Sequence, residues 1–124
     1  MNNIWKDETS TVEATCIHAE HDTVWLNFLI KTGNFTGRHT FFVLPSEIEK
    51  YIDTLVCMYN DLDGCLIIRD RESDAKIQLS KIDDGWCLCG QLGSSWDHNM
   101  LVFHVSVDQT VIKIMMDFLK GSTQ

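Results

Sequence analysis

The chain is poor in proline, in basic residues and in long apolar runs. Its 124 residues include one proline, and 10 Lys and Arg face 18 Asp and Glu, for a formal charge of −8. This balance argues against direct nucleic-acid binding, which needs a basic surface. Apolar runs such as Thr40 to Leu44 are too short to cross a bilayer, so no membrane association is expected. The acidic N-terminus lacks the apolar stretch of a signal peptide, which predicts a cytoplasmic protein.

The sequence also lacks the short motifs of the common enzyme classes. We find no phosphate loop, dinucleotide fingerprint, nucleophile elbow or zincin motif. Asp83 with Asp84, or Asp97 with His98, has the composition of an acid–base pair, but turns favour aspartate for backbone reasons. We therefore expect neither enzyme activity nor a cofactor.

The five cysteines are expected to be reduced thiols, because their number is odd and no signal peptide is predicted. Cys57 lies on an apolar helix stripe and Cys65 begins an apolar run, which predicts core positions for both. Cys87 and Cys89 lie two apart in a predicted strand and share a face, a spacing that rarely suits a disulfide.

Two groups of residues contain ligand types that zinc accepts. They are Cys16 with His18 and His21, and Cys87 and Cys89 with His104. Neither group has finger or ribbon spacing, so we predict no metal site and interpret the histidines as exposed strand or turn residues. A small metal-dependent or thiol-dependent enzyme using Cys87 and Cys89 is the functional alternative that these groups leave open.

The C-terminal segment has the clearest pattern in the chain. Apolar residues alternate from Leu101 to Val107, which predicts a half-buried strand. Asp108 is placed to cap a helix that carries a broad apolar stripe up to Leu119, and Gly121 is predicted as its C-terminal cap. The chain is therefore expected to end as a strand, a sharp corner and a helix.

The remaining patterns predict a single α+β domain spanning residues 1–124. A second helix over 46–60 is indicated by Pro45 and by a capping box of Ser46 and Glu49. We expect one curved, mainly antiparallel sheet of about seven strands in the order βββ-α-ββββ-α, with both helices packed on it. Residues 1–10 are predicted to be a loose lead-in, and the strands to span 11–18, 23–31, 38–44, 65–68, 75–82, 86–92 and 100–107.

Three predicted loops or turns are acidic or aromatic and are expected to be exposed. We expect Trp25 and Trp86 to pack in the core, whereas Trp96 lies in a polar loop, where it either folds back onto the sheet or anchors a partner. The predicted partner-binding residues are Asp70, Glu72, Asp74, Asp83, Asp84, Trp96 and Asp97.

The order of these features resembles the WapI-type immunity protein family of bacterial polymorphic toxin systems, together with related uncharacterised families. The resemblance covers about residues 23 to 119. It includes the capped helix, the Gly-Gln-Leu of residues 90–92 and, most specifically, the LVFHV of residues 101–105 followed by Asp108-Gln109-Thr110.

This resemblance implies a cytoplasmic immunity protein that binds the C-terminal toxin domain of a toxin delivered between neighbouring bacteria, as in contact-dependent growth inhibition. Such toxin domains are commonly basic nucleases, which an acidic inhibitor would suit. The family supplies no catalytic residues, and Asp108, Gln109 and Thr110 read as folding signals. The alternative is a non-catalytic protein-interaction or adaptor module with another partner.

Overall fold

The computed structural model describes residues 2–20 and 22–122, apart from the side chains of residues 18–20. These residues form eight strands and two helices. The elements are β1 (Asn2–Lys6), β2 (Ser10–Glu20), β3 (Thr23–Thr32), β4 (Phe35–Val43), α1 (Pro45–Asp61), β5 (Cys65–Arg69), β6 (Lys76–Ile82), β7 (Gly85–Ser94), β8 (Asn99–Val107) and α2 (Thr110–Ser122).

The strands form two antiparallel sheets, each of four consecutive strands. The first sheet has the order β1-β2-β3-β4 and the second the order β5-β6-β7-β8. The α+β class is confirmed, whereas the single seven-stranded sheet is wrong. Alternation in a strand records which face is buried, but it does not record which other strand lies alongside.

The chain thus repeats one pattern, four antiparallel strands followed by a helix. The two repeats share one core because the helices pack across them: α1 lies against β5, while α2 contacts β1, β2 and α1. The rings of Phe28 on β3 and Phe118 on α2 meet edge to face at 6.0 Å. A single cluster of buried side chains therefore runs through both sheets and both helices.

The N-terminal residues are not a loose lead-in. Residues 2–6 form β1, which pairs antiparallel with β2 and inserts Ile4 into the core. Only one side chain of this short strand is fully buried, which is too little for an alternating pattern to show in the sequence.

Both helices start with a carboxylate bonded to a backbone amide. The Asp108 carboxylate accepts a 2.9 Å hydrogen bond from the Thr110 amide, as predicted for a cap. At α1 the predicted Ser46–Glu49 box is wrong, because the helix begins at Pro45 and Glu47 accepts from the Leu44 amide at 2.9 Å. Gly121 is not a cap either, since α2 continues to Ser122.

Candidate functional site

Two loops of the second sheet meet at one of its ends. They are the β5–β6 loop, residues 70–75, and the β7–β8 loop, residues 95–98. The Asp74 carboxylate accepts hydrogen bonds from the Ser95 amide at 3.1 Å, from the Ser95 hydroxyl, and from the Gln91 side chain at 3.0 Å. These bonds hold the two loops together and lower the pKa of Asp74.

Asp70 is the first residue of the β5–β6 loop and is only 8 % exposed, so its predicted surface position is wrong. One carboxylate oxygen accepts from the amides of Phe42 at 3.0 Å and Glu72 at 3.1 Å. The other lies 2.6 Å from the Ser73 hydroxyl and 2.8 Å from His39 Nε2. A buried carboxylate must be compensated in this way, so Asp70 organises the loop and fastens it to β4 of the first sheet.

His39 completes this junction between the sheets. Its Nδ1 accepts a 3.2 Å hydrogen bond from the Gly93 amide, so the ring proton of the neutral imidazole lies on Nε2 and is donated to Asp70. Ser73 donates to Asp70, and its oxygen is 3.5 Å from His39 Nε2. The imidazole therefore does not stand between hydroxyl and carboxylate as it does in a nucleophilic relay.

The hydrogen bonds to Asp70 decide its ionisation. Burial raises the pKa of Asp70, but the bonds from Ser73, His39 and the amides of Phe42 and Glu72 outweigh burial, so the pKa lies below its usual range. Asp70 is therefore ionised at neutral pH, and its charge is stabilised by hydrogen bonds from within the fold.

A cleft of about 730 Å³ opens between the loops and the first sheet. Its lining includes Trp25 and Thr40 from β3 and β4 and Glu72, Trp96 and Asp97 from the loops. No Lys or Arg lines this cleft, which we call the acidic cleft. The carboxylates of Glu72 and Asp97 have no side-chain hydrogen bond or ion pair in the described part of the chain.

Trp96 does not fold back onto the sheet. It lies in a short 3-10 turn, residues 95–97, and its side chain is 69 % exposed at the edge of the acidic cleft. The turn itself is ordered by the Ser94 hydroxyl, which accepts a 3.1 Å hydrogen bond from the Trp96 amide. An exposed tryptophan on an anchored loop has the geometry of a binding residue.

The structure gathers most, but not all, of the predicted partner-binding residues. Asp70, Glu72, Asp74, Trp96 and Asp97 lie at or beside the acidic cleft, whereas Asp83 and Asp84 form the exposed β6–β7 turn, away from it. Because hairpin turns alternate between the two ends of a sheet, the β5–β6 and β7–β8 loops share one end and the β6–β7 turn lies at the other.

Sequence reasoning missed His39, Thr40 and the role of Trp25. Trp25 is half-buried and lies outside the core, edge to face with Phe42 at 4.8 Å. A usable signal existed for His39, because it alternates with Phe41 and Val43 on the inward side of its strand. A histidine at such a position needs a buried partner.

The cysteines do not line the acidic cleft: Cys16 lies on β2 of the first sheet, Cys57 on α1, and Cys65, Cys87 and Cys89 on β5 and β7 of the second sheet. Cys57 and Cys65 are exposed, so their predicted core positions are wrong. The buried face of α1 is narrower than the run of apolar residues in its sequence and leaves Cys57 outside, and Cys65 points away from the core. Cys87 and Cys89 do share a face and are free thiols. Burial, together with the neighbouring Cys89, raises the pKa of Cys87 to about 11.

The metal-ligand groups weighed from the sequence differ in what the structure describes. Cys89 lies directly opposite His104, but among the described residues no three His, Cys, Asp or Glu side chains are placed to hold a metal. The side chain of His18 and the whole of His21 lie outside the described residues.

Comparison of the chain with protein families, with curated proteins and with solved structures found no match. No helix in the described part of the chain is both long enough and apolar enough to span a membrane.

Proposed function

We propose that this chain is an immunity protein that binds a basic toxin domain and neutralises it by covering its surface. The acidic cleft is the proposed contact site. The resemblance of residues 23 to 119 to the WapI-type family supports the class of protein, and the cleft supports the chemistry of the partner.

The observation that supports the proposal is that carboxylates without an ion-pair partner and tryptophans line the same cleft. Glu72 and Asp97 line the cleft with Trp25 and Trp96, and no Lys or Arg there neutralises them. A lysine or arginine of a partner fits such a site, because it gains an ion pair with the carboxylates and a cation–π contact with an indole. Trp96 supplies the large contact area that is typical of an interface anchor.

The anchored loops favour binding to a rigid surface. Asp74 fixes the β7–β8 loop, and Asp70 fixes the β5–β6 loop to the first sheet. Little side-chain and loop freedom then remains to be lost on association, which favours affinity. The net charge of −8 would in addition speed the encounter with a basic domain.

The proposal predicts that a toxin domain is encoded beside this chain, and the direct test is co-expression with that domain. We expect the wild-type chain to restore growth and a Glu72→Lys, Asp97→Lys double variant to lose that protection. Asp83→Lys with Asp84→Lys is the matched control, because it makes the same change in charge on an exposed turn outside the cleft. It should protect as well as the wild type.

Two results would contradict the proposal. A toxin that stays fully lethal beside the wild-type chain would remove the immunity function and leave an adaptor role. Equal loss of protection in both charge variants would show that net charge, and not the acidic cleft, determines binding.

A further inference from the structure

The free edge of the second sheet is formed by β8, Asn99–Val107, which pairs only with β7. In the described part of the chain, no segment other than β7 hydrogen-bonds to the backbone of β8. Alternate residues of this nine-residue strand therefore present unpaired amide and carbonyl groups to the solvent.

The other sheet edges are shorter or covered. On β4, the Phe42 amide donates to Asp70, and the Phe42 carbonyl accepts from the Arg71 amide at 3.0 Å, so the β5–β6 loop covers the C-terminal end of that edge. β1 and β5 have five residues each, and Tyr51 accepts from the Arg69 amide of β5 at 3.3 Å. β4 has the same length of nine residues but carries Arg38 and is bonded at Phe42, whereas β8 has neither a Lys, Arg, Asp or Glu nor, among the described residues, such a bond.

The side chains of β8 also lack the usual protection of an exposed edge. The strand contains no Asp, Glu, Lys, Arg or Pro, the residues that commonly prevent edge-to-edge pairing. Its outer face instead carries Met100, which is 52 % exposed, and Val102, which is 69 % exposed. Uncharged, apolar and unpaired strands of this length are where another strand adds.

We infer that β8 is the dimerisation edge of this protein and pairs antiparallel with β8 of a second copy. The two sheets then join into one continuous eight-stranded sheet across a two-fold axis. Antiparallel pairing about such an axis is self-complementary, since each copy offers the same nine-residue backbone to the other.

The side chains of β8 suit a second copy, whose β8 likewise lacks Asp, Glu, Lys and Arg, better than a basic partner. A basic strand would need carboxylates to recognise, and β8 has none, whereas the acidic cleft has unpaired ones. In the joined sheet, the hydrophobic cores of both copies lie on the same side. The outer-face residues of one β8 then lie opposite outer-face residues of the other, so Met100 and Val102 meet no Asp, Glu, Lys or Arg. This inference does not depend on the proposed function.

The test is the mass of the purified chain in solution, measured by sedimentation from about 1 μM to about 1 mM. We expect the mass to rise from 14.2 kDa towards twice that value. Higher salt should tighten the dimer, because it screens the repulsion between two chains of charge −8. Binding of a basic toxin domain in the acidic cleft would weaken under the same change.

Val102→Lys should weaken dimerisation about tenfold, since it removes apolar contact and brings two lysines close together. Val56→Lys is the matched control: it makes the same substitution at an exposed site on α1 and should dimerise like the wild type. Unchanged circular dichroism would show that both variants fold. Hydrogen exchange should show that β8 amides gain protection as concentration rises.

Three results would overturn the inference. They are a wild-type chain that stays monomeric at the highest concentration, a Val102→Lys variant that dimerises like the wild type, and equal weakening by both lysine substitutions. In each case the proposal for the acidic cleft would stand unchanged.

Discussion

Nε2 of His39 lies 2.8 Å from a carboxylate oxygen of Asp70, and this contact ties β4 of the first sheet to the β5–β6 loop of the second. Asp70→Asn keeps the shape of the side chain but points an amide donor at groups that donate to Asp70. Because this site is buried, we expect a loss of about 2 kcal/mol or more in unfolding free energy. Urea denaturation of the variant measures this loss, and Asp84→Asn on an exposed turn should change little.

The loss should depend on pH in a definite direction. The pKa of Asp70 is lower in the folded chain than in the unfolded chain, so its ionised carboxylate stabilises the fold fully above about pH 4. That contribution disappears as the pH falls through the lowered pKa. The difference between wild type and Asp70→Asn should therefore be largest at neutral pH and shrink in acid. A difference independent of pH would contradict the assignment.

Gly90 occupies a position in β7 that no other residue fits. Its φ is +151°, and a Cβ at this position would clash with the Lys76 carbonyl oxygen. Gly90→Ala must displace backbone of the neighbouring strand, so we expect a loss of about 3 kcal/mol or more. Gly85→Ala is the control, because nothing lies within 4 Å of its added Cβ, and it should change stability by less than about 1 kcal/mol. Thermal unfolding of the two variants compares them directly.

The four tryptophans are not equivalent, and Trp86 and Trp96 form the sharpest contrast. Trp86 is buried in the core, so Trp86→Ala should cost about 3–5 kcal/mol. Trp96 is mostly exposed, so Trp96→Ala should change stability by no more than about 0.5 kcal/mol. Chemical denaturation tests both values. A large loss from Trp96→Ala would show that this residue serves the fold and would remove it as a binding anchor.

The thiols should react with an alkylating reagent in a fixed order. Cys57 and Cys65 are exposed and should be modified first at pH 8. Cys87 is buried with a pKa of about 11, so only about one thiol in a thousand is ionised at that pH. Mass spectrometry of time-resolved digests reports the order. Rapid labelling of native Cys87 would contradict its burial, while labelling in urea serves as the control for reactivity.

The local patterns of the sequence determined most of the individual elements. The change of period at Asp108 predicted both β8 and α2, because alternation and three-to-four spacing are direct consequences of strand and helix geometry. The cap at Asp108 followed for the same reason, since it involves only the amide of Thr110, two residues away. Aspartates in loops and Trp96 indicated three candidate loops or turns, of which the structure places two at one end of the second sheet and the third at the other.

The tertiary structure alone decided how these elements were assembled. Two four-stranded sheets bury the same alternating faces as one larger sheet, so periodicity could not choose between them. Asp70, Asp74 and Asp83 look alike in the sequence, yet one is buried against His39, one joins two loops and one lies on the far turn. Their roles depend on partners distant along the chain, because burial and hydrogen bonding are set by contacts that form only when the sheets pack together.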